Sequence, residues 1–424
     1  MTKTTKHSSQ KRFKLWHKIV LALVLGSLTG LFFGEKATIL APIGRLFINA
    51  ISMIVIPVVF TSIVCSVMAI SDMKTMGRVM AKTITMYVVT MALATCIGMA
   101  FATVLKPGLG LPVELVQQSL SANPVAADLV ARNKHVSISD TISSIVPSNV
   151  VAALANGDIL PCIVFAFILG LAIVRVGPAA RPVGDFFKGA MLVTFKATHF
   201  VLQFAPIGVF ALIAQAVGTI GIEILKELSL LVLTIYLGCF SVLAFIYIPV
   251  LMYNRLSPGH FFKKMLAPMS FAFSTGSSAA TLPLTLETTQ KQLGVSAGVA
   301  DFVVPLGATI NMNGLSVYLG VAALFVANIF GVDLSLWQYA VIIMTSTLAS
   351  IGAAGVPMSG IVVMSIVLGG AGLPIEAIAL IAGVDRIIDM MTTTVNITGD
   401  ALTAVVVGKS EGQLDKNVYN TPLK

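Results

Sequence analysis

Along the 424 residues, long apolar stretches alternate with short polar ones at the spacing of helices that cross a bilayer. Runs at 19–33, 83–105 and 228–250 carry no charge, and they approach or exceed the ~20 residues that span the hydrocarbon core. Six ordinary helices are predicted near 15–33, 39–70, 82–105, 147–176, 189–217 and 226–253. Beyond 255 the pattern changes. Segments 266–287 and 341–371 are polar, rich in Gly and Ser and interrupted by proline, so each predicts two half-helices meeting at an unwound tip, near 274–280 and 350–360. Segment 297–330 holds Gly307-Ala308-Thr309-Ile310-Asn311-Met312-Asn313-Gly314 in mid-course, which predicts a third break before a last span near 374–408. Broken backbone at membrane depth survives only where protein, water or ligand satisfies its N–H and C=O groups. A matched pair of interrupted segments is the sequence mark of a transporter's binding site.

Composition agrees with the pattern. The chain is 57% hydrophobic and only 11% charged, against roughly 25% charged in soluble domains. Cys65, Cys96, Cys162 and Cys239 lie inside apolar segments without CxxC spacing, which implies packing rather than disulfides or metal. The net charge of +9 does not imply nucleic acid, because the basic residues sit at segment ends, as the positive-inside rule places them. Lys3, Lys6, Lys11, Arg12, Lys14 and Lys18 precede the first run, which is read as a retained anchor with a cytoplasmic N-terminus. Lys74, Arg78 and Lys82, then Arg175, Arg181 and Lys188, then Arg255, Lys263 and Lys264 mark successive cytoplasmic returns. The Ser-, Asn- and Pro-rich connection 107–147, with only Arg132 and Lys134, should face outside. The division expected is a basic N-terminus (1–14), six helices (15–254), a core built of two hairpins and two helices (255–408), and a cytoplasmic tail (409–424).

The last span carries Asp385, Arg386, Asp389 and Asp400 at membrane depth, where each acid costs about 2.5 to 3.5 kcal/mol even on the lenient insertion scale. At 3.6 residues per turn Asp385, Asp389, Thr392, Asn396 and Asp400 fall within about 80° of one another, with Thr393 at the margin. One arginine cannot neutralise three acids spread over more than three turns. An ionised carboxylate there wants a metal ion or a substrate ammonium group, and an asparagine amide can donate to a substrate carboxylate. Half-helix N-termini suit a carboxylate, and half-helix carbonyls suit Na⁺. Those are the groups that an α-amino acid and a sodium ion need.

At these residues the chain resembles the dicarboxylate/amino acid:cation symporter family. The most specific blocks are Ser277-Ser278-Ala279-Ala280-Thr281-Leu282-Pro283, Pro305-Leu306-Gly307-Ala308-Thr309-Ile310-Asn311-Met312, Ser350-Ile351-Gly352 with Gly355-Val356-Pro357, and Val395-Asn396-Ile397-Thr398-Gly399-Asp400. The resemblance implies an all-α polytopic homotrimer of the bacterial inner membrane, with eight transmembrane helices, two re-entrant hairpins and both termini cytoplasmic. It works by an elevator motion with the second hairpin as gate. Its partners are an amino acid and membrane lipids, with no nucleic acid and no organic cofactor. By position, Asp389 would hold the substrate ammonium, and Asn396, Thr393 and the Ser277–Ser278 backbone its α-carboxylate, with Leu315, Gly360 and Thr392 also at the substrate. Asp400, Asn396, Gly307 and Asn311 would make one Na⁺ site, and Thr309 with Ser350 and Ile351 a second.

Three departures bear on substrate and coupling. Acidic amino acid carriers place an arginine at Thr392 and often a threonine at Leu315, so this chain is expected to take a neutral amino acid. Prokaryotic acidic carriers also often carry an arginine at the hairpin tip, where this chain has Gly276. Arg386 is the candidate replacement charge, which leaves an acidic amino acid or a C4-dicarboxylate as the alternative substrate. A third cation site of the family uses an aspartate at Asn313 and a serine at Met91. With only Tyr87, Thr90 and Asn313 left there, fewer coupled Na⁺ or partial H⁺ coupling is expected. An ion channel has no need of an amine site and a lid. A catalytic aspartyl dyad draws its acids from two chain segments, whereas Asp385 and Asp389 share one helix, so no enzyme is expected.

Overall fold

The computed structural model describes residues 15–71, 77–111, 146–156, 159–351, 353, 355 and 358–422. The N-terminal 1–14, most of the expected outer connection (112–145) and part of the second hairpin tip (352, 354, 356–357) lie outside the described residues. The described chain is helical, with one isolated antiparallel bridge between Val295 and Leu414.

The first half consists of α1 (Leu15–Phe33), α2 (Ala41–Ser71), α3 (Gly77–Leu105), α4 (Val150–Asn156), α5 (Ile159–Val176), α6 (Arg181–Gln203), α7 (Ala205–Ile220), α8 (Glu223–Val242) and α9 (Ile248–Tyr253). A π turn, Leu243–Tyr247, joins α8 to α9. The single helix expected near 189–217 is two. It breaks at Phe204 because Pro206, in the first turn of α7, has no N–H to continue the ladder.

The second half follows the interrupted pattern. The first hairpin is α10 (Pro258–Thr275) and α11 (Ser278–Glu287), and the broken span is α12 (Ala297–Ile310) and α13 (Asn313–Ile329). The second hairpin is α14 (Leu336–Ile351) and α15 (Ser359–Gly370). A short α16 (Ile378–Ile381) precedes α17 (Asp385–Ser410), and α18 (Lys416–Asn420) ends the chain. Hairpin 1 starts earlier than expected, at Ser257-Pro258, where the Ser257 hydroxyl caps the helix by accepting from the His260 N–H at 3.4 Å. The span expected from 374 becomes a continuous helix only at Asp385, after a turn around Gly383.

Among the described residues six helical stretches are long and apolar enough to cross a membrane, and their burial differs sharply. An 18-residue apolar window within Ala297–Ile329 is wholly buried and one within Asp385–Ser410 is 89% buried, against 22% within Leu21–Phe47 and 17% within Val164–Thr194. The first pair therefore forms the protein's interior, and the second pair presents apolar side chains such as Leu21, Leu28, Leu31, Phe167 and Leu192 outward. Packing divides the helices in two. α1, α2, α5, α6 and α7 pack mainly on one another, while α3, α8 and both hairpins surround α12, α13 and α17. The two groups touch more sparsely, mainly where α2 and α5 meet α15 and where α7 meets α8 and α16.

Candidate functional site

The two hairpin tips and the break in the α12–α13 span converge on the polar stripe of α17. At tip 1, Gly276 ends α10 in the left-handed region at φ +57°, its N–H donating to Ala272 O at 2.7 Å. A side chain is disfavoured there. Ser277 turns extended and opens α11, its hydroxyl accepting from the Ala280 N–H at 3.2 Å. The same hydroxyl donates to Gly355 O of tip 2 at 2.9 Å, and the Ala279 N–H donates to that oxygen at 3.0 Å. The tips are therefore hydrogen-bonded to each other in a closed arrangement.

Beneath them a small cavity is lined by Gly276, Ser278, Gly355 and Ser359 from the tips, Met312 and Leu315 from the broken span, and Asp389, Thr392, Thr393 and Asn396 from α17. Gly360 lies behind the wall: a Cβ on it would stand 2.7 Å from the Tyr318 ring, and its neighbour Ser359 faces the cavity. Asp389 Oδ2 accepts from the Met358 N–H at 3.1 Å and lies 3.4 Å from Arg386 Nη1, and Thr393 lines the cavity beside it. Met358 opens α15 at φ +64°, a conformation that costs a non-glycine residue roughly 1–3 kcal/mol. The bond to Asp389 ties this strained turn to the stripe. Thr392 is buried, and its hydroxyl donates to Asp389 O at 3.2 Å. The Asn396 amide accepts from the Gly314 N–H at 2.7 Å and donates to Met312 Sδ at 3.1 Å.

Arg386 bends over tip 1. Its Nη2 donates to Thr275 O at 2.7 Å, and its guanidinium covers Gly276, where a Cβ would collide with it. A guanidinium from α17 thus lies at tip 1, beside Asp389. Its Nε has no partner among the described residues.

One turn deeper, Asp400 Oδ1 accepts from Asn311 Nδ2 at 2.8 Å, and the same nitrogen lies 3.3 Å from Asn396 O. Asn313 Nδ2 donates to the Tyr247 hydroxyl at 2.7 Å, which in turn donates to Val395 O at 3.0 Å. Asn311 Oδ1 and Asn313 Oδ1 are buried without partners among the described residues. Orphaned amide oxygens beside a buried carboxylate are hard, weakly basic donors of the kind that fit Na⁺. Gly307 borders Asp400 so closely that a Cβ would strike the carboxylate and stand 2.6 Å from the Tyr87 hydroxyl. Among the described residues no group of three His, Cys, Asp or Glu could hold a transition metal.

The other candidate ligands turn to different partners. The Thr309 hydroxyl is exposed and donates to Leu306 O at 3.0 Å, whereas the buried Ser350 hydroxyl lies 3.0 Å from Ser316 Oγ, and Ile351 is half-buried at the end of α14. Tyr87 donates to Val303 O at 2.8 Å and Thr90 to Met86 O at 2.8 Å, while Met91 is fully buried packing. Met312, Tyr318, Met358 and Ser359 were not foreseen. Tyr318 alone left a sequence signal, a phenol four residues past Gly314 on a largely apolar helix.

A model of the sodium:dicarboxylate symporter family matches residues 15–410. The chain is 35% identical over 418 residues to the proton/glutamate-aspartate symporter of Escherichia coli strain K12, covering 96% of this chain and 94% of the relative. It is 34% identical over 409 residues to the proton/sodium-glutamate symport protein of Geobacillus stearothermophilus, with 96% of each covered. A C4-dicarboxylate transport protein of Bacillus subtilis strain 168 is 32% identical over 411 residues, again with 96% of each covered.

Proposed function

The chain belongs to the sodium:dicarboxylate symporter family, and from that membership we propose that it imports an acidic α-amino acid, glutamate or aspartate, together with Na⁺, H⁺ or both. It is a membrane transporter, not an enzyme. The expectation of a neutral substrate, drawn from Thr392, Leu315 and Gly276, gives way to its alternative. The relatives are named for glutamate, aspartate and C4-dicarboxylates, and the missing charge is present by another route. The observation that carries this reading is the Arg386 guanidinium lying on Gly276 beside Asp389.

In this reading Asp389 receives the ammonium group, and Asn396, Thr393 and the N-terminus of α11 at Ser278 receive the α-carboxylate. Arg386 exchanges its contact with Asp389 for the side-chain carboxylate. A C4-dicarboxylate has no ammonium to offset Asp389, which favours the amino acid. Asp400, Asn311, Asn396 and Gly307 would hold Na⁺, whose charge offsets Asp400 and draws the break between α12 and α13 onto the stripe. Thr309, Ser350 and Ile351 become a second set only if the hairpin shifts, and Tyr87, Thr90 and Asn313 a third, weaker one. We place the protein as a homotrimer with eight spans and two re-entrant hairpins, both termini cytoplasmic. The group around α17 carries the cargo across as a unit.

Uptake into proteoliposomes under imposed Na⁺ and H⁺ gradients tests this. Glutamate or aspartate should be taken up and compete with each other, while alanine and serine do not compete. Arg386→Ala should weaken the acidic substrate by roughly 10- to 150-fold, the worth of a hydrogen bond to a charged group, and adding Thr392→Arg should restore much of it. Equal competition by alanine, or an Arg386→Ala protein with unchanged preference, would remove the role given to Arg386. Succinate uptake without amino acid competition would remove the role given to Asp389.

A further inference from the structure

Three acids line α17, and two of them are accounted for. Asp389 has Arg386 and the Met358 N–H, and Asp400 has Asn311 and the orphaned amide oxygens of the proposed cation set. Asp385 is left over. It is 1% exposed, and Oδ1 accepts from the Tyr318 hydroxyl at 2.8 Å. Its Oδ2 is buried with no hydrogen-bond partner among the described residues. The adjacent arginine does not neutralise it, because the guanidinium reaches forward to Asp389 and up to Thr275 O. The other groups near this end of α17 are neutral or spoken for. Tyr236 from α8 donates to Ile387 O at 2.8 Å, and hairpin 1 presents Thr275 O to Arg386.

A buried carboxylate with one neutral donor and one empty oxygen is costly as an anion and inexpensive as an acid. With Asp385 neutral, the trio Asp385, Arg386 and Asp389 carries no net charge. Two features keep the anion within reach once water enters: the Tyr318 donor, and the start of α17, whose first turn favours negative charge. The tips above it are closed by the Ser277–Gly355 bond, and Arg386 belongs to that closure through Thr275 O. Opening the tips frees the guanidinium to turn back toward Asp385.

We propose that Asp385 is the proton-binding group of this carrier, protonated while the hairpin tips are closed over cargo and deprotonated once they part and the empty carrier returns. The carboxylate takes one proton from the entry side as Arg386 is drawn to the tip and the cargo. It returns that proton to the exit side when Arg386 swings back. The proposal rests on the symport reading above and assigns its proton to a side chain.

The test uses the full chain in proteoliposomes loaded with a pH-sensitive dye, at a fixed Na⁺ gradient, with unlabelled-for-labelled glutamate exchange measured in parallel. The wild-type protein should acidify the lumen in step with substrate entry and respond to an inward H⁺ gradient. Asp385→Asn, an isostere of the neutral acid, should keep exchange within about twofold while acidification per substrate falls to baseline and the response to the H⁺ gradient disappears. An Asp385→Asn protein with the wild-type proton-to-substrate ratio overturns the proposal, as does a wild-type protein whose net glutamate uptake moves no protons. Failure of wild-type exchange would instead count against the substrate reading. Should Asp385→Asn not fold, Tyr318→Phe leaves the carboxyl but removes the donor that favours its anion. The pH of half-maximal uptake should then move upward, and an unmoved profile overturns the proposal.

Discussion

Gly307 sits where the Asp400 carboxylate and the Tyr87 hydroxyl close on one point of the α12 backbone. Its value lies in the missing side chain rather than in backbone freedom. Gly307→Ala should force Asp400 or Tyr87 aside at a cost of roughly 1–3 kcal/mol, the usual penalty of overpacking. The expected result is a Na⁺ concentration for half-maximal uptake raised at least about tenfold, with Arg386-dependent selectivity retained. An unchanged Na⁺ dependence would remove Gly307 and Asp400 from the cation site. Much at this scale was legible beforehand. The period of 3.6 put Asp389, Thr392, Asn396 and Asp400 on one face; the first three do line one cavity, and Asp400 is hydrogen-bonded to Asn311 beneath it. The direction of Arg386 was not legible, because a long side chain three residues from Asp389 can reach several partners and only the bare Gly276 surface selects one. Met358 was invisible because its bond to Asp389 spans 31 residues and arises from a hairpin folding back.

The breaks were readable at the scale of elements because Gly, Ser and Pro clusters fail as helix interiors, and Gly276-Ser277 and Asn311-Met312 fall inside the stretches foreseen. The ends were less readable: α17 starts at Asp385 because the turn at Gly383, unremarked in an apolar run, interrupts it. The stretch expected only as a cytoplasmic tail also carries order. Asp415 caps α18, and Lys264 donates to Gln292 O, Val418 O and Tyr419 O at 2.7 to 2.9 Å, fastening the tail to the base of hairpin 1. Lys82 ties Glu411 to α3 at 2.5 Å, and its hydrogen bond, aided by Arg78, holds the Glu411 carboxyl below its usual 4.5. For a depressed acid the contribution is complete above the unfolded value and fades as pH falls through the folded one. Hydrogen–deuterium exchange of 411–420 should therefore be constant from about pH 5 to 8 once corrected for intrinsic rates. It should rise below 4.5. Glu411→Gln should raise it from about pH 5 to 8 to the level wild type reaches at low pH, and a variant as protected as wild type there would show that Lys264 and the backbone contacts of the tail hold it without Glu411.

At the scale of the whole molecule, the sequence announced a membrane carrier but not which helices pack together, because the first six spans are alike in being apolar and only three-dimensional packing sorts them. α3 and α8 precede residue 255, yet they pack around α13 and α17 rather than with α1, α2 and α7. If these groups slide past each other, the seam must be smooth, and Gly383 is one place where it is. A Cβ there would stand 2.8 Å from Ile213 Cδ1 of α7. Gly383→Val adds a branched side chain against that helix at a distance from the cavity residues. The elevator reading therefore expects glutamate binding within about twofold of wild type and uptake slowed by an order of magnitude or more, since a wedge of about 1–3 kcal/mol acts on the moving state. Binding and uptake falling together would mean that the turn before α17 shapes the site itself. Uptake at the wild-type rate would mean that α7 and Gly383 do not move past one another during transport.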